Sequence, residues 1–295
     1  MKQIANQWID YECIDCGDGY KLERWNDVYL SRPDPQVLWK KHDDKLWKQV
    51  HAHYLRSKKG GGHWDFKQTL PDKWTITYKN LCFKVSPTNF KHTGIFPEQA
   101  ANWDVLENLI KNSQRNDIKV LNLFAYTGGA TMACASAGAQ EVVHVDASKG
   151  MISWAKENME LSNLAHKKIR FIVEDVLKFV AREKRRGRQY DIIIMDPPSY
   201  GRGPNNEVWK IEEQLYTLIE QCSALLSDTA LCLLVNTYTT GFSATVLKNV
   251  LCDIMHKQKA YGHVETGENC LAIRKSQSLL PCGIYGRWIH TQRNV

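Results

Sequence analysis

The stretch YDIIIMDPPSY, residues 190 to 200, decides the expected fold. The apolar run from Ile192 to Met195 predicts a buried strand, which two prolines follow after a single acid. Neither proline can donate a backbone hydrogen bond, and each has φ fixed near about −65°, so the strand must end at Asp196. Ligands of open α/β sheets bind at the carboxyl ends of the strands. The stretch therefore predicts a rigid loop at a ligand pocket; the alternative is a proline-terminated strand with an incidental acid.

Strands and helices alternate around this stretch from about residue 86 onward. The predicted strands cover 119–124, 141–145, 169–173, 191–195, 230–236, 270–273 and 283–288. The predicted helices cover 98–111, 127–137, 148–162, 176–186, 207–226 and 243–257. Such alternation indicates βαβ units and a mostly parallel sheet with helices on both faces. We therefore expect an α/β domain with a seven-stranded sheet over residues 86–295.

Residues 1–85 have a different character, with six tryptophans interleaved with lysine and arginine. Short segments such as Tyr20 to Trp25, Asp27 to Leu30 and Trp74 to Tyr78 are typical of strands separated by turns. We predict a small strand-rich N-terminal domain. Its aromatic side chains are expected to serve packing more than base stacking.

Composition limits the class of protein. The chain has 295 residues, of which 43% are hydrophobic and 24% charged. Its apolar runs are far shorter than the roughly 20 residues of a membrane span, and its N-terminus lacks the apolar segment of a secretory signal. We therefore expect a cytoplasmic protein without membrane contact. A net charge of +7 permits an anionic partner such as RNA.

The nine cysteines are scattered, as is typical of free thiols in a reducing compartment. Cys13 and Cys16 form the only close pair, and no second pair follows at zinc-finger spacing. We predict no metal site.

A glycine-containing turn follows the first predicted strand of the larger domain. The segment LNLFAYTGGAT, residues 121–131, joins that strand to a helix. Glycine lets the backbone approach a ligand closely, so this turn predicts a nucleotide-type crevice. The segment lacks the third glycine of a dinucleotide fingerprint and the Gly-Lys-Ser/Thr of a P-loop.

Acids follow the next two predicted strands. Asp146 lies about 20 residues beyond the glycine turn, the offset at which an acid can accept from ribose hydroxyls. Asp175 follows the strand after that and can accept from an adenine amine. Each acid could instead cap the helix that follows it in the chain. For the helix predicted from residue 148, however, Ser148 is the better cap. Asp146 would then be available to a ligand, whereas both possibilities stay open for Asp175.

These segments resemble a known family. LNLFAYTGGAT, HVDAS at 144–148, VEDVLKF at 173–179 and DPPSYGRG at 196–203 are similar to motifs I to IV of class I S-adenosylmethionine-dependent methyltransferases. The resemblance is strongest to the bacterial 23S rRNA large-subunit group with its 5-methylcytosine and 7-methylguanine enzymes. TGIFPEQ, residues 93–99, matches that group's loop ahead of motif I. The resemblance implies a Rossmann-like fold, S-adenosylmethionine as cofactor and S-adenosylhomocysteine as product.

The resemblance also implies roles for single residues. The backbone from Phe124 to Gly128 would approach the methionine moiety, Asp146 would bind the ribose and Asp175 the adenine amine. Asp196 and Pro197 would lie beside the sulfonium, and Tyr200 would stack on the target base. The expected catalytic residues are thus Asp196, Pro197 and Tyr200. The expected cofactor-binding residues are Phe96, Gln99, Phe124, Ala125, Tyr126, Thr127, Gly128, Asp146, Ala147, Ser148, Glu174, Asp175, Val176 and Asp196.

Two departures from the family pattern bear on the chemistry. Methylation of cytosine C5 needs a thiolate that attacks C6, and the family's cytosine enzymes carry that cysteine after the fifth strand. Residues 235–240 read VNTYTT, and position 199 is serine. We therefore predict a base nitrogen of ribosomal RNA as the methyl acceptor.

Two other functions stay open. The first is methylation of a protein or a small molecule, and the second is an RNA-binding module with a vestigial cofactor fold. Arg202, just after DPPSY, is the preferred phosphate contact. The basic run at 182–188 either contacts phosphate or ends a helix, where cations face its dipole.

Overall fold

The computed structural model describes residues 1–57, 61–71, 73–202, 207–239 and 241–291. Gly203 and Thr240, which end two of the segments quoted above, lie outside the described residues. The chain forms two compact units. The first comprises Met1–Gln3, Asn102–Glu268 and Gly283–Val295, and the second comprises Ile4–Ala101 and Asn269–Cys282. A domain boundary after residue 85 stays a prediction; position 85 lies within the second unit.

The N-terminal region is rich in strands, as predicted. Its strands are β1 (Lys2–Ile4), β2 (Tyr11–Gly17), β3 (Tyr20–Trp25), β4 (Val28–Pro33), β5 (Ala52–Arg56), β6 (Gly62–Phe66), β7 (Trp74–Tyr78) and β8 (Leu81–Val85). A short 3₁₀ helix spans Leu46–Gln49. Strands β2 to β6 form a five-stranded sheet, and β7 pairs with β8 in a separate antiparallel ribbon.

Several tryptophans of the second unit are bound to its backbone. Trp25 is fully buried. The indole N–H groups of Trp8, Trp64 and Trp74 donate to backbone carbonyls at 2.9, 2.8 and 3.0 Å. These three side chains are half-buried, and their indole nitrogens are bound to the backbone of the unit.

Helices and strands alternate from residue 97 onward. A 3₁₀ turn at Pro97–Gln99 leads into helix α1 (Ala100–Asn112). The following elements are β9 (Lys119–Leu123), α2 (Gly129–Ser136), β10 (Glu141–Asp146), α3 (Lys149–Leu161), β11 (Ile169–Val173), α4 (Val176–Arg185), β12 (Ile192–Met195), β13 (Tyr200–Arg202), β14 (Val208–Lys210), α5 (Ile211–Ser223), β15 (Cys232–Thr237), α6 (Ala244–Lys257), β16 (Gly262–Ala272) and β17 (Leu279–His290). None of the helices in the described ranges is long and apolar enough to cross a membrane.

The large sheet has the strand order β1-β16-β17-β15-β12-β9-β10-β11. Strands β15, β12, β9, β10 and β11 are parallel, and β17 is antiparallel to β15. This confirms the predicted α/β fold with a mostly parallel sheet. An eighth strand, β1, joins the edge at β16, where the Met1 carbonyl accepts from the Glu268 N–H at 2.9 Å. Three residues are too few to show strand periodicity in a sequence.

Helices cover both faces of this sheet. Successive side chains of a strand point to opposite faces. Leu121 and Leu123 of β9 share a buried core with Phe179 of α4, Leu218 of α5 and Leu251 of α6. Helix α2 packs on β9 and β10 from the other face.

Two predicted helices begin later than expected. The helix predicted from residue 207 begins at Ile211, because Val208–Lys210 pair with Tyr200–Arg202 in an antiparallel ribbon. The helix predicted from Thr127 begins at Gly129, because Gly128 has a φ of 89°, which no right-handed helix contains.

The amino ends of the parallel strands are joined by Asp191, directly before β12. Its carboxylate is buried and accepts from the Lys119 backbone N–H at 2.9 Å, the Arg115 guanidinium at 2.9 Å and the Ser227 hydroxyl at 2.8 Å. Its backbone carbonyl accepts from Leu231 N–H at 2.7 Å. One residue thus joins the starts of β9, β12 and β15.

Replacement of Asp191 by alanine is expected to lower the free energy of unfolding by about 3 kcal/mol, because it removes a buried carboxylate together with its hydrogen bonds to Lys119, Arg115 and Ser227. Urea denaturation measures the change. Asp117→Ala is the matched control, since Asp117 pairs with the same Arg115 at 2.8 Å but is exposed. We expect little change from the control; equal losses in the two variants would contradict the role of Asp191.

Candidate functional site

Four loops follow the carboxyl ends of four neighbouring parallel strands. Strands β12, β9, β10 and β11 are adjacent in that order, and their last residues are in register. The loops begin at Phe124, Asp146, Glu174 and Asp196. Parallel pairing places all four at one edge of the sheet, which is where open α/β sheets bind ligands.

The loop after β9, residues 124–128, has a tightly curled backbone. Phe124 and Tyr126 have φ angles of 53° and 51°, and Gly128 has 89°. Positive φ is uncommon outside glycine, so the surrounding contacts must hold this loop. The Ala125 N–H donates to the Val145 carbonyl at 3.1 Å, and the buried Asn158 amide donates to the Thr127 carbonyl at 2.9 Å.

The two glycines of this turn have structural reasons within the protein, since Gly128 has a φ of 89° and Gly129 packs against the ring of Trp103. A Cβ at Gly128 would lie 3.0 Å from Cε of Met132 and 3.3 Å from Cβ of Ala155. A Cβ at Gly129 would lie 2.3 Å from Cζ2 of Trp103. Glycine at these positions therefore lets α2 begin against its neighbours.

Asp146 joins two of the loops. One carboxylate oxygen accepts from the Tyr126 N–H at 2.9 Å, and the other accepts from the Ser148 N–H at 2.8 Å. Burial raises the pKa of Asp146, whereas the two backbone N–H groups lower it. Ser148 caps α3 by accepting from the Met151 N–H at 3.4 Å, as predicted. Each oxygen of Asp146 keeps a lone pair for a ligand hydroxyl.

The residues after β11 have structural partners of their own. Asp175 caps α4, with Oδ1 accepting from the Lys178 N–H at 3.0 Å. Glu174 pairs with Arg182 at 2.6 Å, and its N–H donates to the Asp146 carbonyl at 3.2 Å. The Val176 side chain is buried in the core, so only its backbone is left to a ligand. Asp175 is thus a helix cap, as one of the two possibilities required, and its Oδ2 takes no part in the cap.

The fourth loop, Asp196–Tyr200, is called the transfer loop below. Pro197 is buried, Pro198 and Ser199 are exposed, and the Tyr200 side chain is 54% exposed. The Ser199 carbonyl accepts from the Ile211 N–H at 3.1 Å, and its hydroxyl lies 2.8 Å from the Thr239 hydroxyl. The loop is therefore held by the residues that follow β14 and β15.

A buried polar chain that sequence reasoning missed supports these loops. The Asn122 amide donates to the Thr131 hydroxyl at 2.9 Å, and that hydroxyl lies 2.9 Å from Nδ1 of His144. The Thr131 hydroxyl has two lone pairs and one proton, so it can accept from Asn122 and still form the hydrogen bond to Nδ1. Burial lowers the pKa of His144 to about 3, so the ring is neutral. The available signal was a polar residue inside each apolar strand.

Phe96 and Gln99, the predicted pocket-mouth residues, belong to the second unit. Phe96 precedes the 3₁₀ turn, its carbonyl accepts from the Gln99 N–H at 3.1 Å, and its ring lies 5.3 Å from that of His92. Their role at a cofactor pocket stays a prediction.

Comparison with known proteins identifies the chemistry. A family model described as S-adenosylmethionine-dependent methyltransferase matches residues 48–234. Ribosomal RNA large subunit methyltransferase K/L of Syntrophotalea carbinolica is 30% identical over 152 residues, 52% of this chain and 20% of that protein. The protein of that name from Shewanella oneidensis is 34% identical over 125 residues, 42% of this chain and 16% of its own length. The chain thus spans a fifth or less of these relatives.

Solved structures agree with this match. The SAM-dependent methyltransferase from Agrobacterium tumefaciens is 37% identical with a TM-score of 0.92, covering 99% of this chain and 93% of its own. A methyltransferase complexed with S-adenosylhomocysteine has a TM-score of 0.73 at 20% identity, covering 96% of this chain and 76% of its own, and shows the fold alone. S-adenosylmethionine is therefore the cofactor. The acceptor oxygens at the strand ends fit its hydroxyl and amine groups.

Asp175→Ser separates the capping and binding roles of this residue. Serine caps a helix about as well as aspartate, but it has no second side-chain oxygen and no charge to offer a ligand. We expect an unfolding free energy within about 0.5 kcal/mol of wild type and an affinity for S-adenosylmethionine that falls about tenfold or more, because a charge-assisted hydrogen bond is lost. Calorimetric titration and urea denaturation measure the two quantities.

Asp175→Ala is the companion variant, and it should lose about 1 kcal/mol of stability together with the affinity. Unchanged affinity in both variants would make Asp175 a helix cap only.

Proposed function

Because the chain belongs to the S-adenosylmethionine-dependent methyltransferase family, we propose that it moves a methyl group from S-adenosylmethionine to a base nitrogen of ribosomal RNA without a cysteine nucleophile. The observation that carries this proposal is the transfer loop, which combines an acid, a carbonyl without a hydrogen bond from the described residues and an exposed aromatic side chain. The names of the two relatives supply the ribosomal RNA class. They share only a fifth or less of their length with this chain, so the substrate is inferred.

The positions of the cysteines argue against cytosine C5 as the target. No cysteine lies within residues 196–221 or 233–251, the segments after β12 and β15. Cys232 begins β15, roughly 16 Å from that strand's carboxyl end at about 3.3 Å per residue. Burial raises its pKa to about 12, so it is a thiol and not a thiolate at neutral pH. Burial likewise raises the pKa of Cys134 and Cys222.

A nitrogen target needs position more than activation. When bound, the cofactor supplies an electrophilic methyl group on its sulfonium. The protein must aim the nitrogen lone pair at that methyl, in line with the sulfur, and such alignment supplies much of the rate. The Pro197 carbonyl accepts no hydrogen bond from the described residues, so it can accept from an amine of the target. The Asp196 carboxylate next to it can accept a second N–H.

An exposed aromatic beside these acceptors suits a base that has left its stack. Tyr200 can stack on such a base, as enzymes that modify single bases require. Arg202 is exposed two residues further along β13, and Lys210 lies opposite Tyr200 on β14. Cations around a stacking residue favour a polyanion, because phosphate contacts position a nucleic acid. This arrangement favours RNA over a protein or a small molecule as the methyl acceptor.

The other proposed functions predict different outcomes. A module with a vestigial fold would bind RNA without the cofactor, and the retained Asp146 carboxylate with its two backbone partners favours a working cofactor site. An RNA methyltransferase should have an affinity for RNA that falls steeply with salt, because phosphate contacts release counterions. A protein methyltransferase should lack this salt-dependent RNA binding. The cytoplasmic location inferred from sequence stays a prediction.

Asp196→Ala is expected to lower methyl transfer to RNA by about 100-fold or more while the affinity for S-adenosylmethionine survives, because the target amine loses its charged acceptor. Radiolabelled methyl transfer and calorimetric titration measure the two effects. Asp228→Ala is the matched control, an exposed aspartate before the amino end of β15, at the opposite edge. Loss of cofactor binding in a folded Asp196→Ala would instead place this acid in the cofactor site only.

The substrate is identified by mass spectrometry of ribosomal RNA nucleosides from a deletion strain, with purified enzyme restoring the missing mark. We expect a nitrogen-methylated base. A covalent adduct between the enzyme and RNA that contains 5-fluorocytosine would overturn the nitrogen target, because only a covalently attacked cytosine forms one.

A further inference from the structure

We propose that Trp209 is a positioning residue that fixes the angle between the two functional halves of the transfer loop. The first half, Asp196 and Pro197, presents hydrogen-bond acceptors. The second half, Ser199 and Tyr200, presents the stacking side chain. This inference rests on the proposed function of the loop and adds a residue that lies outside it.

The two prolines leave the loop one free backbone torsion at its centre. Proline fixes φ of Pro197 and Pro198 near about −65°. A residue that precedes proline is confined to extended ψ, which restricts Asp196 before Pro197 and Pro197 before Pro198. The ψ angle of Pro198 has no such restriction, because Ser199 follows it. This torsion therefore sets where Ser199 lies relative to the Pro197 carbonyl, and with it the start of the segment that carries Tyr200.

Trp209 binds the group that this torsion orients. Its indole N–H donates to the Pro198 carbonyl at 2.6 Å, and only 6% of its surface is exposed. Rotation about ψ of Pro198 would swing that carbonyl away from the indole, and the buried N–H would lose its partner. Leaving a buried donor unsatisfied is unfavourable, so this hydrogen bond favours a single backbone conformation of the loop.

The same ring is itself held from two sides. It lies 5.2 Å from the ring of Phe124, centre to centre, in the loop after β9. Its backbone pairs with Gly201 in the β13–β14 ribbon, so the ribbon brings residue 209 back over residue 198. Trp209 therefore contacts both the transfer loop and the predicted cofactor loop. The β13–β14 ribbon places it there.

Hydrogen bonding also selects which carbonyl faces the target. The carbonyl of Pro198 is occupied by Trp209, and that of Ser199 by the Ile211 N–H at 3.1 Å. Within residues 197–199, Pro197 is left as the carbonyl without a hydrogen bond from the part of the chain that the structure describes. Trp209 thus helps to make Pro197 the acceptor for the amine.

Trp209→Phe is the test, because phenylalanine keeps an aromatic ring against Phe124 but removes the indole donor. We expect kcat for RNA methylation to fall about 10- to 100-fold, as a displacement of the order of 1 Å at a reacting centre does. KM for RNA should change much less, and the affinity for S-adenosylmethionine should stay at the wild-type value. Trp209→Ala should lower that affinity as well, because Phe124 then loses its packing partner.

Trp288→Phe is the matched control. Trp288 is also buried and belongs to the same apolar core, but its indole nitrogen has no hydrogen-bond partner among the described residues. A general effect of exchanging a core tryptophan would lower stability and activity alike in both variants. We expect only Trp209→Phe to lower kcat, with the two melting temperatures reduced to a similar extent.

The outcomes separate this inference from the proposed function. Unchanged kcat in Trp209→Phe, with active wild type, would overturn the positioning role and leave RNA methylation standing. A parallel loss of kcat in both tryptophan variants would likewise make Trp209 a packing residue only. Wild-type enzyme that methylates a protein or small-molecule fraction but not RNA would overturn the RNA substrate, and the kcat comparison is then made with that fraction.

Discussion

Parallel pairing of β12, β9, β10 and β11 is the constraint on which the site depends. It brings the segments after four strands to one edge, although they are separated by up to about 70 residues of chain. At the opposite edge, Asp191 joins the amino ends of three strands, because its carboxylate accepts from the Lys119 N–H before β9 and its backbone carbonyl accepts from the Leu231 N–H before β15. The strands are thus tied together at both edges, and their parallel register places the site.

At the carboxyl ends of these strands, side chains form hydrogen bonds with the backbone of the loops. Asp146 accepts from the Tyr126 and Ser148 N–H groups, Asn158 donates to Thr127, and Trp209 donates to Pro198. Loops with positive φ or consecutive prolines form few such bonds among themselves. Side chains from neighbouring elements supply the missing partners, and the loops are thereby fixed before a ligand binds.

Structural and functional roles overlap in the same residues. Asp175 caps α4 with one oxygen, and the second oxygen is the one that a ligand could use. Glycine is favoured at 128 by a φ of 89° and at 129 by the ring of Trp103, independently of any close approach of a cofactor. For this reason a motif that marks a ligand site in the sequence also marks a packing requirement in the structure.

Local patterns in the sequence determined the alternation of strands and helices, the acids at the strand ends, the Ser148 cap and the absence of cysteine after β12 and β15. These follow from periodicity, proline geometry and side-chain chemistry, which act within a few residues. The tertiary structure alone decided the Asn122–Thr131–His144 chain, the β13–β14 ribbon and the contact of Trp209 with Pro198. Each of these features joins residues from different elements of the fold. A local sequence pattern does not encode which elements pack together, so it could not predict these contacts.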